Sequence, residues 1–365
     1  MSEHKIKSGN TYYYSFPAVK GIQAGRPFFT ATCPLRLVPK IFNYDEEEVP
    51  AELRAQRTLN KARIPEMARY LVDYPNDYIF SAITASVSED VEFSELESGS
   101  NLGTLHISMD ASILINDGQH RRAAIEEAIR ERPELCQENI AVLFFIDEGL
   151  KKSQQMFADL NKFAVRPSAS ISTLYDHRDQ AAGLARNLAL SQKPFVKFTE
   201  LERPSVSVNS NKVFTLSAIK SANKALFGKG SKKGYSPEEE ELAKSFWLKL
   251  YDFIPEWRLI HENEMSVRDF RRDFITAHGI GLQSLAMAGR EILAKPESEQ
   301  RVLYNALKAI DWRKSNDQWR NRAMQHGRLS KAHSNILLTS IEIKRQIGLA
   351  LTESELTKEK EFLKL

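Results

Sequence analysis

Cys33 and Cys136 are the only two cysteines in 365 residues, too few for a disulfide framework. The sequence has no run of about 20 apolar residues to cross a bilayer, and its first twenty residues lack the apolar core of a secretory signal. These absences point to a cytoplasmic globular protein without membrane contact. Charge of one sign is also missing. Lys and Arg number 51 against 48 Asp and Glu, a formal charge of +3 that excludes a polycation of the histone type. If nucleic acid is bound, a local patch must bind it. There is no GxxxxGK[ST] loop, and GKGSKK at 228–233 has neither the spacing nor the preceding apolar strand, which excludes P-loop chemistry. His106, His120 and His177 are scattered, and no spacing of a structural zinc site occurs, so no resident metal is expected. Cys33, beside Pro34, reads as small core filling rather than a reactive thiol. Internal repeats are absent.

What is present suffices for two domains, since 365 residues is about twice a typical domain of about 150. TLHISM (104–109) and SILIND (112–117) are β-branched and apolar without helical spacing. The next stretch, QHRRAAIEEAIRERP, opens after a glycine with strong helix formers and stops at a proline. IAVLFFID (140–147) suits a strand buried on both faces, and LKKSQQMFADLNKFA repeats the helical pattern, giving a β–α–β–α order. Upstream, RIPEMARYLVDYP and IFSAITASV add a helix and a strand. Residues 1–204 are therefore expected to form a mixed α/β domain whose sheet is covered by helices.

Beyond residue 205 the strand signal fades. PEEEELAKSFWLKLYDF, DFRRDFITAHGIGLQSLAMAGREIL, ESEQRVLYNALKAI and SNILLTSIEIKRQIGLAL carry helical periodicity, so residues 205–365 are expected to be all-α. A loop over 228–240 should end in a helix start at Ser236-Pro237. Acidic clusters at 45–48 and 89–97 read as solvated loops. Between residues 301 and 350, ten basic residues face only Asp311, Asp317 and Glu342, so the positive character gathers there.

The segment richest in chemistry is Asn116-Asp117-Gly118-Gln119-His120-Arg121-Arg122, where a strand turns sharply into a helix. Gly118 permits the turn, and the first helical N–H groups and the positive dipole end then favour an anion. Gln119, His120, Arg121 and Arg122 add donors at the same place, Arg being able to grip a phosphate with two bonds. The same residues also fit a plainer reading, with Asp117 as N-cap and the arginines paired to Glu126 and Glu127. The sequence leaves both open. The run Tyr175-Asp176-His177-Arg178-Asp179 is dense in groups able to act as acid, base or phosphate ligand, or to form a satisfied surface network. For DNA, the best local case lies between Asp311 and Lys331. There Arg313, Lys314, Gln318, Arg320, Arg322, Arg328 and Lys331 interleave with Trp312 and Trp319, so cations could hold phosphates while amides reach base edges. The alternative is a solvated helix face over a tryptophan-anchored core.

DGQHRRAA resembles the signature of DGQHR-domain proteins, whose fold is related to the ParB and sulfiredoxin superfamily and whose corresponding turn holds nucleotide phosphates. The segments FPAVKGIQAGRPFF (16–29), CPLRLVPKIF (33–42), RAQRTLNKARIPEMARYL (54–71) and FADLNKFAVRPSASISTLYDHRD (157–179) resemble the DndB family, accessory and regulatory proteins of bacterial DNA phosphorothioation clusters. The resemblance implies a ParB/sulfiredoxin-like α/β domain joined to a helical one. Gln119 stands where sulfiredoxins carry a reactive cysteine, so redox repair is not implied. Ala123 replaces an arginine expected in ParB clamps, so CTP preference does not carry over. His120 and Arg121 remain as phosphate contacts around Gly118. The resemblance also brings Asn161 beside a nucleotide and its metal, with Lys162 or Arg166 neutralising phosphate charge; without it, Asn161 and Lys162 read more simply as a solvated helix face and C-terminal dipole partners.

The function implied is a DNA-binding regulator that represses or tunes a phosphorothioation operon through duplex DNA of its promoter region. A second class is a nucleoside triphosphatase accessory enzyme using ATP or another triphosphate with Mg²⁺, in which Asp117 or Asp176 orients water. A third is a scaffold for other phosphorothioation proteins. Self-association is left open.

Overall fold

The computed structural model describes residues 12–42, 61–88, 91–146, 155–156, 158–160, 162, 167–228 and 234–364. Strand β1 (Tyr13–Gln23) turns through Ala24-Gly25 into β2 (Arg26–Pro34), with Gln23 opposite Arg26. Both turn residues have positive φ, 50° and 76°, the type I′ geometry whose twist fits a two-residue hairpin. A short helix α1 (Val38–Ile41) and helix α2 (Ile64–Asp73) follow, then β3 (Ile83–Val87), β4 (Val91–Glu95), β5 (Leu102–Ser108) and β6 (Ile113–Asp117). Helix α3 (Gln119–Glu131) then leads to β7 (Asn139–Ile146). The seven strands form one mixed sheet in the order β4-β5-β1-β2-β7-β3-β6, as expected for an α/β architecture. Phe16 and Ala18 of β1, Phe29, Ala31 and Cys33 of β2, and Ile140, Val142 and Phe144 of β7 alternate into a core shared with Ala68, Leu71, Ala124, Ile125 and Ala128 of α2 and α3. Burial pushes the Cys33 thiol up to about 12, so it stays protonated and serves as packing.

Two sequence expectations change in this unit. β7 is buried on one face only: Ala141 is exposed, and Phe145, half-buried, stacks on Phe28 at 5.5 Å on the other face. Residues 91–95 of the acidic stretch form edge strand β4 rather than a loop, and its outward glutamates suit an edge that must not pair further. Strands β6 and β7, joined by α3, are not neighbours: β3 lies between them, antiparallel to β6 and parallel to β7. The cluster at 45–48 lies outside the described residues.

The chain separates into two units, Met1–Val165 and Arg166–Leu365, a boundary earlier than the expected 204/205. The reason is packing. Helices α4 (Ala169–Tyr175) and α5 (Gln180–Ser191) belong with the helical part, because Ala181, Leu184, Ala185 and Leu188 enter the core built on Phe214, Phe246 and Trp247. That core continues through α6 (Leu216–Phe227), α7 (Pro237–Phe253), α8 (Pro255–His261), α9 (Val267–Asp273), α10 (Gly279–Leu293), α11 (Glu297–Leu307) and α12 (His333–Ile347), and a last helix, α13 (Glu353–Leu363), follows it. The unit is helical apart from two pairs of two-residue strands, β8 (Thr199–Glu200) with β9 (Phe214–Thr215) and β10 (Met324–Gln325) with β11 (Arg328–Leu329). Helix α7 starts where the serine-proline signal placed it, with Ser236 and Glu239 forming a capping box. The expected continuous helix through 269–293 is broken, because Phe274 is extended and bridges Arg313. All four tryptophans of the chain are buried here. No described helix is long and apolar enough to cross a membrane.

Candidate functional site

The turn from β6 into α3 is built on Gly118, whose φ of 111° and ψ of 13° make it the N-cap in a conformation that L side chains rarely adopt. A Cβ there would also lie 3.0 Å from Ile83 of the wholly buried strand β3. The turn is held from both sides. Asn116, fully buried, donates from Nδ2 to Ser86 Oγ at 2.6 Å. Gln119 is buried and folds back to donate to the Ile115 carbonyl at 3.2 Å, which corrects the expectation that its amide faces a ligand.

The arginines divide their work differently from either sequence reading. Asp117 is not the N-cap; its carboxylate pairs with Arg121 one turn on. Arg121 also donates to Ser81 Oγ at 2.7 Å and to the Ala82 carbonyl at 3.1 Å, and its Nε is buried without a hydrogen-bond partner. Arg122 is engaged inward: it donates to the carbonyls of Phe42 (2.9 Å) and Pro39 (3.0 Å) and pairs with Glu126, not Glu127. Arg122 therefore fastens α3 to the segment after β2 and leaves the set of phosphate ligands. His120 is half-buried. Burial first, then the positive charges of Arg63 and Arg121, hold its imidazole below the ordinary histidine range, against an opposing effect of Asp117. Arg63, exposed on a 3-10 turn before α2, thus belongs to the electrostatics of this turn. The sequence offered no signal for it, because 55 residues separate it from Gly118.

Of the residues that resemblance placed beside a nucleotide, Lys162 is exposed, and Asn161 and Arg166 lie outside the described residues. Asp176, in the helical unit, accepts the backbone N–H groups of Arg178 and Asp179 at 3.1 Å each, which makes it a turn former. Asp179 caps α5 and pairs with Lys220. Burial opposes its charge, but the Lys220 bond and the α5 N–H groups hold it below the usual carboxylate range. The run at 175–179 is thus largely local scaffolding. Among the described residues no cluster of three or more His, Cys, Asp or Glu is placed to hold a metal ion.

The basic segment 311–331 is not a helix. Trp312 and Trp319 stack at 5.6 Å with their rings 5° from parallel, and the chain between them makes a turn, closed by the Asn316 N–H donating to the Arg313 carbonyl at 3.0 Å, and then a 3-10 turn at Asp317–Trp319. The β10–β11 hairpin follows, turning at His326-Gly327 with both φ positive. Arg313, Gln318, Arg320, Arg328 and Lys331 are exposed, Arg313 being paired with Asp311. Lys314 points inward and donates to the Arg271 carbonyl at 2.7 Å; burial pushes its ammonium down to about 8. Arg322 is only 4 % exposed and makes a two-pronged pair with Glu359 at 2.6 and 2.8 Å. It is a core residue, which corrects its assignment to DNA. The lysines of the 228–233 stretch lie outside the described residues.

A family model described as "DndB: DNA-sulfur modification-associated" matches residues 16–350, nearly the whole chain, and the chain belongs to that family. No curated protein and no solved structure matches it.

Proposed function

We propose that this member of the DndB family is a duplex-DNA-binding regulator of a DNA sulfur modification gene cluster, acting as a repressor at the cluster's promoter region. Family membership supports a role in DNA sulfur modification. The observation that carries the DNA contact is the exposed set Gln318, Arg320, Arg328 and Lys331, presented on a loop and hairpin anchored by the stacked Trp312 and Trp319. Cations on such a rigid support hold phosphates, and an amide among them can read a base edge. The test is fluorescence anisotropy with labelled duplexes at physiological salt. Promoter DNA is expected to bind at least about a thousandfold more tightly than random duplex. Equal affinities would sink the repressor reading, since phosphate attraction alone would then account for binding.

A second reading is favoured by the Gly118 turn, where the start of α3, His120 and the unpartnered Arg121 Nε come together. In it the turn binds the phosphates of a nucleoside triphosphate with Mg²⁺, in the manner of a ParB/sulfiredoxin-like domain, and the exposed Arg63 adds charge. His120, depressed by burial and by Arg63 and Arg121, is neutral at pH 7 and gains a proton as pH falls, so triphosphate affinity should rise on acidification. His120→Ala is expected to lower MgATP affinity about tenfold and to flatten that pH dependence. Calorimetric titration of the folded variant checks both, and unchanged affinity and pH profile would exclude the turn as the site.

A further inference from the structure

The helical unit contains a cavity of about 530 Å³ whose lining shares only Lys331 with the residues of the two readings above. Its volume falls in the range of about 300–1,000 Å³ typical of small-molecule sites. Three helices begin around it. Ser217 and Ser221 come from the first turns of α6, His278 and Gln283 from the start of α10, and Lys331 and Ile336 from the approach to α12 and its first turn. Gly279 brings the first two close: a Cβ there would stand 3.3 Å from that of Ala218. The start of α6 is capped by Thr215, but no side chain caps the first turn of α10 or of α12, so their leading N–H groups lack that partner.

The charge of the lining is one-sided. Arg271, His278 and Lys331 line the cavity, and none of its lining residues is acidic. Arg271 is fixed in place, donating to the carbonyls of Val206 and Ser207 at 2.7 and 2.6 Å. Its own carbonyl lies 2.9 Å from His278 Nε2, and because a carbonyl only accepts, that nitrogen carries the proton. Burial, followed by the charges of Lys314, Arg271 and Lys331, drives His278 down to about 4. Asp273, the acid acting on Lys314, is itself paired with Arg272 at 2.7 Å. Lys331 is exposed, with no hydrogen bond or ion pair among the described residues. The rest of the lining includes the apolar Val206, Val213, Ile280 and Leu329.

We propose that the cavity is a binding site for the terminal phosphate of a nucleotide, a ligand of nucleoside-monophosphate size. The phosphate sits at the uncapped start of α10 beside Lys331, and the organic part lies against the apolar wall. Donors converging from two helix starts and a lysine suit a tetrahedral dianion better than a planar carboxylate. The site is separate in sequence from the Gly118 turn, and it stands whether or not the chain binds its promoter.

Calorimetry on the full chain tests it, with AMP, adenosine and inorganic phosphate as one set of probes. A dinucleotide with and without a 5′-phosphate, too short to span the 311–331 face, forms the other, which separates a free nucleotide from a strand end. AMP, or the phosphorylated dinucleotide alone, is expected to bind saturably at one site, and its dephosphorylated counterpart much more weakly. Lys331→Glu, an exposed change, should weaken this binding about tenfold, and Ser221→Trp, which fills the cavity, should abolish it. Ligand should also raise the titration midpoint of His278, read from its ring protons by NMR. Binding that is insensitive to both substitutions in folded variants, equal binding with and without the phosphate, or no binding by either probe set would overturn the proposal.

Discussion

Arg322→Ala is expected to destabilise the helical unit by about 3–5 kcal/mol, the cost of removing one partner of a buried ion pair. The guanidinium is 4 % exposed, grips Glu359 through both terminal nitrogens, lies 3.3 Å from Glu342 and donates to the Leu338 carbonyl at 3.1 Å. Its flat face covers the Phe362 ring at 4.3 Å. Alanine leaves two carboxylates in the core with Arg345, half exposed, as their remaining cation and Gln346 donating to Glu342 at 2.9 Å. Thermal unfolding should show a fall on the order of 10 °C in the transition of this unit. The pH dependence discriminates the cause. The Arg322 hydrogen bond holds Glu359 below the usual carboxylate range, so its contribution is present above the unfolded pKa and is lost as pH falls through the folded one. In the variant Glu359 protonates more readily, and the gap between variant and parent should narrow toward acid pH. A gap that stays constant from neutral to acid pH would mean that lost packing against Phe362, not stranded charge, is the cause.

The same residue shows where sequence reading fails. Counting charges between 301 and 350 gave an apparent basic surface, but of the acids that neutralise Arg322 and Lys344 only Glu342 lies inside that window. Glu355 and Glu359 follow it on α13, and Glu291 precedes it on α10. Local composition cannot see a partner 37 residues away that a helix hairpin brings into contact. Where the determining interaction is local, the sequence was legible. Strands β5 and β6, the start of α7 at Ser236-Pro237 and the glycine between β6 and α3 are all set by residues within a few positions, whereas β1 and β2 are not read as strands from sequence. The candidate turn falls between these cases. Its backbone could be read from Gly118, but the allocation of Arg121 to Ser81 and Ala82, and of Arg122 to Pro39 and Phe42, depends on segments some 40 and 80 residues distant. The break at Phe274 coincides with its bridge to Arg313, which no periodicity announces.

With Arg322 assigned to the core and Lys314 turned inward, the DNA reading rests on fewer cations, and its expected signature is correspondingly specific. Reversing Arg320, Arg328 and Lys331 together to glutamate should lower duplex affinity at about 0.15 M salt by at least about a hundredfold, since each phosphate contact releases counterions. If all three touch phosphates, the slope of log affinity against log salt should fall by about 3. All three are exposed, so stability should stay within about 0.5 kcal/mol of the parent, and loss of binding could not be ascribed to unfolding. Gln318→Ala should behave oppositely. Phosphates carry no sequence, whereas an amide bonding a base edge does, so this change should erode the preference for promoter over random duplex by roughly tenfold or more and leave the salt slope intact. Anisotropy titrations at several salt concentrations separate the two effects. If the triple reversal leaves both affinity and slope unchanged, the loop and hairpin at 311–331 are not the DNA-binding face. If only Gln318→Ala is silent, the face holds the backbone, and sequence is read elsewhere or through the shape of the duplex.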